Sequence, residues 1–251
     1  MVVPMNRWTC GKIRGMEHGD AFGEALLEHL AGGDGDYMIE RDDGLMEHLR
    51  SVEAYFLGVD AFAEIEAAGM EFVNGRVLDI GAGAGRFALA AVERGCDVVA
   101  LDNSAGAAEV CRQRGLTDVV HNSIHRYESD AAFDTFLMMG ANLGLLAPDP
   151  VRTLRRLRAM ANNGAQIVGS TLDPYVTEDP VHLAYHDANR DRGRLPGHVV
   201  MRVRRRVTVG DWFDYLFTSP DELATIAERA GWSMKVLDHD GLRYVARLAA
   251  L

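Results

Sequence analysis

The chain is expected to fold as a doubly wound α/β protein with a mostly parallel sheet, on three grounds. From residue 76 onward, short apolar runs alternate with stretches of helical periodicity, the rhythm of consecutive βαβ units. The first run stops at three glycines spaced two apart, and a helical pattern begins directly after them. The chain closes with a capped helix and two more apolar runs.

Along the chain, Asp20 to Leu30 places Phe22, Leu26, Leu27 and Leu30 at helical spacing, and a Gly/Asp-rich break follows at residues 31–36. A helical pattern resumes from Ser51 to Phe72, and Asn74-Gly75 marks a turn, so residues 1–75 read as helical and irregular. Strands are then expected at residues 76–80, 97–101, 117–120, 133–139 and 165–171, with helices at 86–94, 105–114 and 150–161. Right-handed crossovers put the C-terminal ends of parallel strands on one rim, where ligands bind. The order breaks at residues 173–218, which hold a helix at 180–191, a Gly/Pro turn and an extended run at 199–209. Ser219-Pro-Asp-Glu then opens a helix to Ala230, and residues 236–237 and 244–248 read as closing strands. Three segments follow: an N-terminal helical segment (1–75), an α/β domain (76–172 with 219–251) and a cover insertion (173–218).

Composition narrows the function. With 26 basic and 37 acidic residues the formal charge is −11, a field that repels phosphate backbones and argues against a nucleic-acid partner. No apolar run is long enough to span a membrane, and no basic start with an apolar core marks a secretory signal, so a cytoplasmic location is expected. Cys10, Cys96 and Cys111 are scattered and read as reduced thiols, and no metal-ligand spacing is present.

Chemistry concentrates in Val77-Leu-Asp79-Ile-Gly81-Ala-Gly83-Ala-Gly85-Arg86. Glycines suit a tight strand-to-helix turn that a ligand approaches closely. Dinucleotide-binding loops place the third glycine three after the second, whereas here it follows at two. Asp102 lies 17 residues beyond Gly85, at the end of the next strand, where a carboxylate reaches ribose hydroxyls. A bare turn and a helix-capping acid are the plain alternatives.

Asp79-x-Gly81-x-Gly83-x-Gly85 followed by Asp102 resembles the first two motifs of class I S-adenosylmethionine-dependent methyltransferases. The resemblance implies a Rossmann-like, seven-stranded sheet whose last strand is antiparallel, with S-adenosylmethionine as cofactor. It further implies that Gly81, Gly83 and Gly85 pass under the methionine part with Asp79 nearby, that Asp102 holds the ribose, and that Asn103 borders the adenine. Where the family often has an acid and an apolar residue after strand three, this chain has Asn122-Ser123-Ile124, so Ser123 and Ile124 are the adenine-side candidates. Gly140-Ala-Asn142-Leu-Gly-Leu is similar to the fourth motif of a bacterial small-molecule group, often Gly-Asn-Asn-Leu-Gly-Leu. Gly140 would let the methyl group be approached, and Asn142 either orients the acceptor or caps the next turn. Residues 39–44 and 53–56 also look like that group's N-terminal region, with Arg41 a candidate for the cofactor carboxylate or a plain salt-bridge partner.

Acceptor choice is expected in the cover. On a helix at 180–191, His182, Tyr185, His186 and Asn189 share one face. His186, His182 and Tyr185 are the catalytic candidates, with hydrogen bonding of the helix to the rim as the plain alternative. Tyr175, Asn189, Arg194 and Trp212 join Asn142 as candidate acceptor contacts. Arg202, Arg204 and Arg206 would line one side of a strand, and Phe213, Tyr215 and Phe217 could wall an apolar pocket. The leading function is methyl transfer to a small molecule, in natural-product tailoring for example. A nicotinamide-dependent oxidoreductase and a non-catalytic cofactor-binding scaffold are the other two. The N-terminal helices and the cover strand offer surfaces for a homodimer.

Overall fold

The computed structural model describes residues 17–251. The thiol expected at Cys10 and the first part of the N-terminal segment lie outside the described residues. The chain runs through β1 (Glu17–His18), α1 (Ala21–Leu30), β2 (Asp36–Arg41), β3 (Arg50–Ser51), two 3₁₀ turns (Glu53–Phe56 and Val59–Ala61) and α2 (Glu64–Met70). Next come β4 (Arg76–Ile80), α3 (Arg86–Glu93), β5 (Asp97–Asp102), α4 (Ala105–Gln113) and β6 (Val119–His121). They are followed by β7 (Phe133–Met138), a 3₁₀ turn (Asn142–Leu146), α5 (Pro150–Ala159) and β8 (Ala161–Leu172). The insertion holds α6 (Pro180–Asp191), β9 (His198–Arg205), β10 (Thr208–Val209) and β11 (Phe213–Leu216). The chain ends with α7 (Pro220–Arg229), β12 (Trp232–His239) and β13 (Arg243–Ala250).

Seven strands form the main sheet in the order β12-β13-β8-β7-β4-β5-β6. β13 is antiparallel to both of its neighbours, while β8, β7, β4, β5 and β6 pair in parallel. This is the class I methyltransferase, Rossmann-like fold that the glycine motif implied. Strand periodicity builds its two cores. Leu78, Ile80, Leu101, Phe136 and Met138 face Leu154, Leu157, Leu223 and Trp232. Val77, Val98, Ala100, Leu137 and Val245 face Ile65, Met70, Ala88 and Cys111. Buried Trp232 donates its indole N–H to the Leu154 carbonyl at 3.2 Å, so its one polar atom is satisfied.

Two expectations need correction. The N-terminal segment is not simply helical and irregular: β2 pairs antiparallel with β9, so this segment and the insertion share a second, six-stranded sheet. The extended run at 199–209 is a hairpin, because Arg206 takes a left-handed turn (φ 48°) and β10 and β11 fold back on β9. Consequently the three arginines do not share one face. Arg202 and Arg204 both pair with Glu40, whereas Arg206 joins Arg205 on Glu28 of α1. Among the described residues no helix is long and apolar enough to cross a membrane.

Candidate active site

The glycine loop knits together the ends of β4, β5 and β7. Gly81, Gly83 and Gly85 all take left-handed φ values (73°, 57° and 77°), which glycine adopts without a Cβ penalty. The Gly81 N–H donates to the Leu101 carbonyl at 2.8 Å, and the Gly83 N–H donates to Asp102 Oδ2 at 2.8 Å. A Cβ on Gly81 would lie 2.7 Å from Asn142 Nδ2, so only backbone fits there. That amide donates to the Ile80 and Gly81 carbonyls at 3.0 and 2.8 Å. Asn142 therefore shapes the loop, and its side-chain N–H groups are spent on protein carbonyls.

Asp102 accepts from Gly83 and Ser104 N–H groups, both at 2.8 Å, through different oxygens. Each oxygen keeps a second lone pair for a hydroxyl donor. Exposed Asn103 follows, its carbonyl 3.1 Å from His121 Nε2. The Asn122 N–H donates to the Asp102 carbonyl at 2.9 Å, and Ser123 stands next to it, half-buried. Ile124 is buried in the main core beside the loop.

Among the described residues no cation pairs with the carboxyls under the loop, although an Ala88 backbone N–H favours the ionised Asp79. Asp79 is 2% exposed, and its Oδ2 has no hydrogen-bond partner among the described residues. Burial, and next the neighbouring Asp102 carboxylate, push Asp79 up to about 7. Burial also raises Asp102, against the Ser104 and Gly83 N–H groups that hold it down. The Cys111 thiol, which donates to the Gly83 carbonyl, is pushed up to about 12 by burial and by the two aspartates. Two buried carboxyls thus lie close together below a loop of left-handed glycines.

Residues 77–164 match the family model described as a methyltransferase domain. Residues 77–164 are thus similar to a methyltransferase domain, set in a sheet of class I methyltransferase topology. A methyltransferase from Bacteroides fragilis, solved with S-adenosyl-L-homocysteine, superposes with a TM-score of 0.77 at 24% identity, over 92% of this chain and 95% of that one. The Burkholderia thailandensis 1,6-didemethyltoxoflavin-N1-methyltransferase, solved with 1,6-didemethyltoxoflavin and S-adenosylhomocysteine, superposes at 0.51 with 18% identity, over 76% and 80%. A glycopeptide N-methyltransferase complexed with S-adenosylhomocysteine gives 0.53 at 16% identity, over 76% and 91%. No curated protein matches the chain in sequence. The antiparallel β13 and the methyltransferase-domain match set aside the nicotinamide alternative.

Over the rim of the methyltransferase domain, the N-terminal segment and the cover supply residues that sequence reasoning used little or missed. Tyr55 stands over Gly83, with its ring edge 3.7 Å from where a Cβ would be. Arg114 clips this turn in place: it donates to the carbonyls of Ala84, Tyr55 and Phe56, and lies over the Phe56 ring. Asp20 caps α1 and also accepts from Ser104 Oγ and the Gly106 N–H, tying α1 to α4. Gly140, exposed at the tip of β7, takes φ 70° with Phe87 close by. An Asp20–Ser104 link across 84 residues leaves no sequence signal, because neither residue belongs to a spaced motif.

α6 forms with the expected bounds, and its predicted face is the one turned inward: Tyr185, His186 and Asn189 are buried. Most of that face is committed to protein. Arg41 grips Asp43 with two donors, contacts His182 Nδ1 at 3.0 Å and lies 4.1 Å over the Tyr185 ring. Since a guanidinium only donates, His182 Nδ1 must accept, which puts the ring proton on Nε2. The Arg41 fork is thus filled by Asp43, as in the plain salt-bridge alternative. Tyr185 donates to Asp42 Oδ1 at 2.6 Å, and burial with that bond pushes its phenol up to about 12. Asn189 donates to the Pro196 and His198 carbonyls. His186 alone on this face makes no hydrogen bond among the described residues, and burial, then Arg190, hold its imidazole below the usual range. Of the other acceptor candidates, Arg194 is exposed, Tyr175 donates to Glu222 on α7, and Trp212 is half-exposed under the Arg202 guanidinium. These three are not drawn together by any shared contact.

Proposed function

We propose that this chain is an S-adenosylmethionine-dependent methyltransferase acting in the cytoplasm on a small-molecule acceptor, of the kind met in natural-product tailoring. The observation that carries it is the pair of buried carboxyls, Asp79 and Asp102, beneath a glycine cradle in a methyltransferase domain. When bound, the cofactor would supply a methyl group on a positively charged sulfur: an acceptor lone pair forms the bond to the methyl carbon as the C–S bond breaks in line, and the neutral thioether leaves. The residues bind and align. Asp102 offers its free lone pairs to the ribose hydroxyls, Gly83 lets the backbone approach while Gly85 makes room for Leu116 and Cys111, and the unpartnered Asp79 oxygen compensates positive charge. Asn103 and Ser123 border the adenine. Tyr55 covers the loop and helps to exclude water. A small acceptor is supported by the acidic chain and by neighbours named for small or peptidic acceptors.

His186 is the general-base candidate in the cover helix. Its lowered affinity for protons keeps the imidazole neutral at neutral pH, and its ring makes no hydrogen bond among the described residues. Tyr185 and His182 position α6 instead, through Asp42 and Arg41.

Calorimetric titration with S-adenosylhomocysteine, and with NAD and NADP in parallel, tests the assignment. Micromolar binding of the first alone is expected. Binding of a nicotinamide cofactor in its place would overturn it. A loaded protein that transfers no labelled methyl group across a broad acceptor panel would favour the scaffold instead.

A further inference from the structure

The turn after β7 carries two successive left-handed residues, Gly140 (φ 70°) and Ala141 (φ 69°), and the second is not a glycine. A left-handed alanine is disfavoured because its Cβ crowds the following carbonyl. Such a residue persists only where its surroundings over-determine it, typically at functional sites. Here the tethers come from two distant elements. The Ala141 N–H donates to Ser170 Oγ on β8 at 2.9 Å. The Ala141 carbonyl accepts from the Tyr215 hydroxyl on β11 at 2.7 Å and from the Gly144 N–H at 3.0 Å. The Tyr215 ring packs so tightly on Gly144 that a Cβ there would fall 2.0 Å from it. The next residue, Asn142, holds the Ile80 and Gly81 carbonyls of the glycine loop. Two hydrogen-bonded links joined by the Ala141–Asn142 peptide thus run from the cover sheet, through a strained turn, to the first glycine of the loop. Tyr215 is buried and touches none of Asp79, Asp102 or Gly83 through a hydrogen bond.

The geometry points to Tyr215 as a positioning residue for methyl transfer: its phenol holds Ala141 in the left-handed state and so couples the cover sheet to the glycine loop. This rests on the reading that the loop holds the nucleoside cofactor. Without the Tyr215 hydroxyl the Ala141 carbonyl keeps only the Gly144 N–H, so the turn relaxes toward ordinary φ, and the relaxation carries the Asn142 amide away from the loop carbonyls. The loop then loses part of the preorganisation that binding uses.

Four proteins test it: wild type, Tyr215→Phe, Ala141→Gly, and the double variant. Affinity for S-adenosylhomocysteine is read by calorimetry, and amide hydrogen exchange is read at Gly144. Phenylalanine keeps the ring and deletes one hydrogen bond, so affinity should fall roughly fivefold and Gly144 exchange should rise by a similar factor. Glycine takes the left-handed φ without a tether, so Ala141→Gly in the Tyr215→Phe background should restore affinity to within about twofold of wild type. A packing role alone would not be repaired by a substitution at Ala141. Wild-type affinity in Tyr215→Phe, or a loss that Ala141→Gly leaves in place, overturns the proposal. If the wild-type chain binds no S-adenosylhomocysteine, the cofactor reading fails on its own, and unchanged Gly144 exchange in Tyr215→Phe would still refute the tether.

Discussion

Asp79 is the next-to-last residue of β4, and its side chain shares a face with Val77, so it is buried among Ala88, Cys111 and Asp102. A carboxyl raised to about 7 there has a defined thermodynamic consequence. Between about pH 4 and pH 7 the folded chain keeps a proton that the unfolded chain has lost. The stability this group contributes is complete below the unfolded value and is lost as pH rises to the folded one. Asp79→Asn is neutral throughout, so urea unfolding should show the variant gaining on wild type from pH 5 to pH 8, by on the order of 2 kcal/mol. A gap between the two proteins that stays constant with pH would refute the charge assignment. A cationic ligand acts in the opposite sense, since it favours the ionised carboxylate.

At the scale of elements, local signals and long-range contacts divide the work. α7 is specified locally: Ser219 accepts from the Glu222 N–H, Glu222 accepts from the Ser219 N–H, and Pro220 occupies the first turn. α6 begins as locally, with Asp179 as cap and Pro180 after it, but its far end depends on Asn189. That side chain is fully buried and bridges the Pro196 and His198 carbonyls, closing the turn into β9. Asn189→Ala strands both carbonyls and should cost about 2 kcal/mol of stability, read as a lower unfolding midpoint. Affinity for S-adenosylhomocysteine should hold. A variant as stable as wild type would return Asn189 to the list of acceptor contacts.

For the whole molecule, the decisive feature is the sheet shared by the N-terminal segment and the insertion. β2 and β9 lie 157 or more residues apart in sequence yet run side by side, from Met38 opposite Arg204 to Arg41 opposite Met201. Glu28 of α1 fastens the hairpin tip by receiving Arg205, which is buried, and Arg206. Glu28→Ala leaves the Arg205 guanidinium without its main counter-ion and should cost about 3 kcal/mol. Trypsin should cut the variant faster at the exposed Arg206. Unchanged cleavage together with an unchanged midpoint would mean that the strand pairing alone holds the cover.

What the sequence determined by itself was whatever repeats on a short period. Strand alternation, the cap before α7, the bounds of α6 and the Asp79-to-Gly85 loop are set by residues within a turn or a strand of one another, so they were legible. The inward face of α6 was legible too, because helical spacing dictates it. Tertiary structure decided which of those polar groups stay available. Arg41 and Asn142 carry donors suited to a cofactor or an acceptor, yet Asp43 and the loop carbonyls take them. Likewise the left-handed Ala141 becomes visible only once Ser170 and Tyr215 converge on it from β8 and β11. The physical reason is the same throughout: a hydrogen-bonding group is defined by its partner, and a partner tens of residues away leaves no mark on local periodicity.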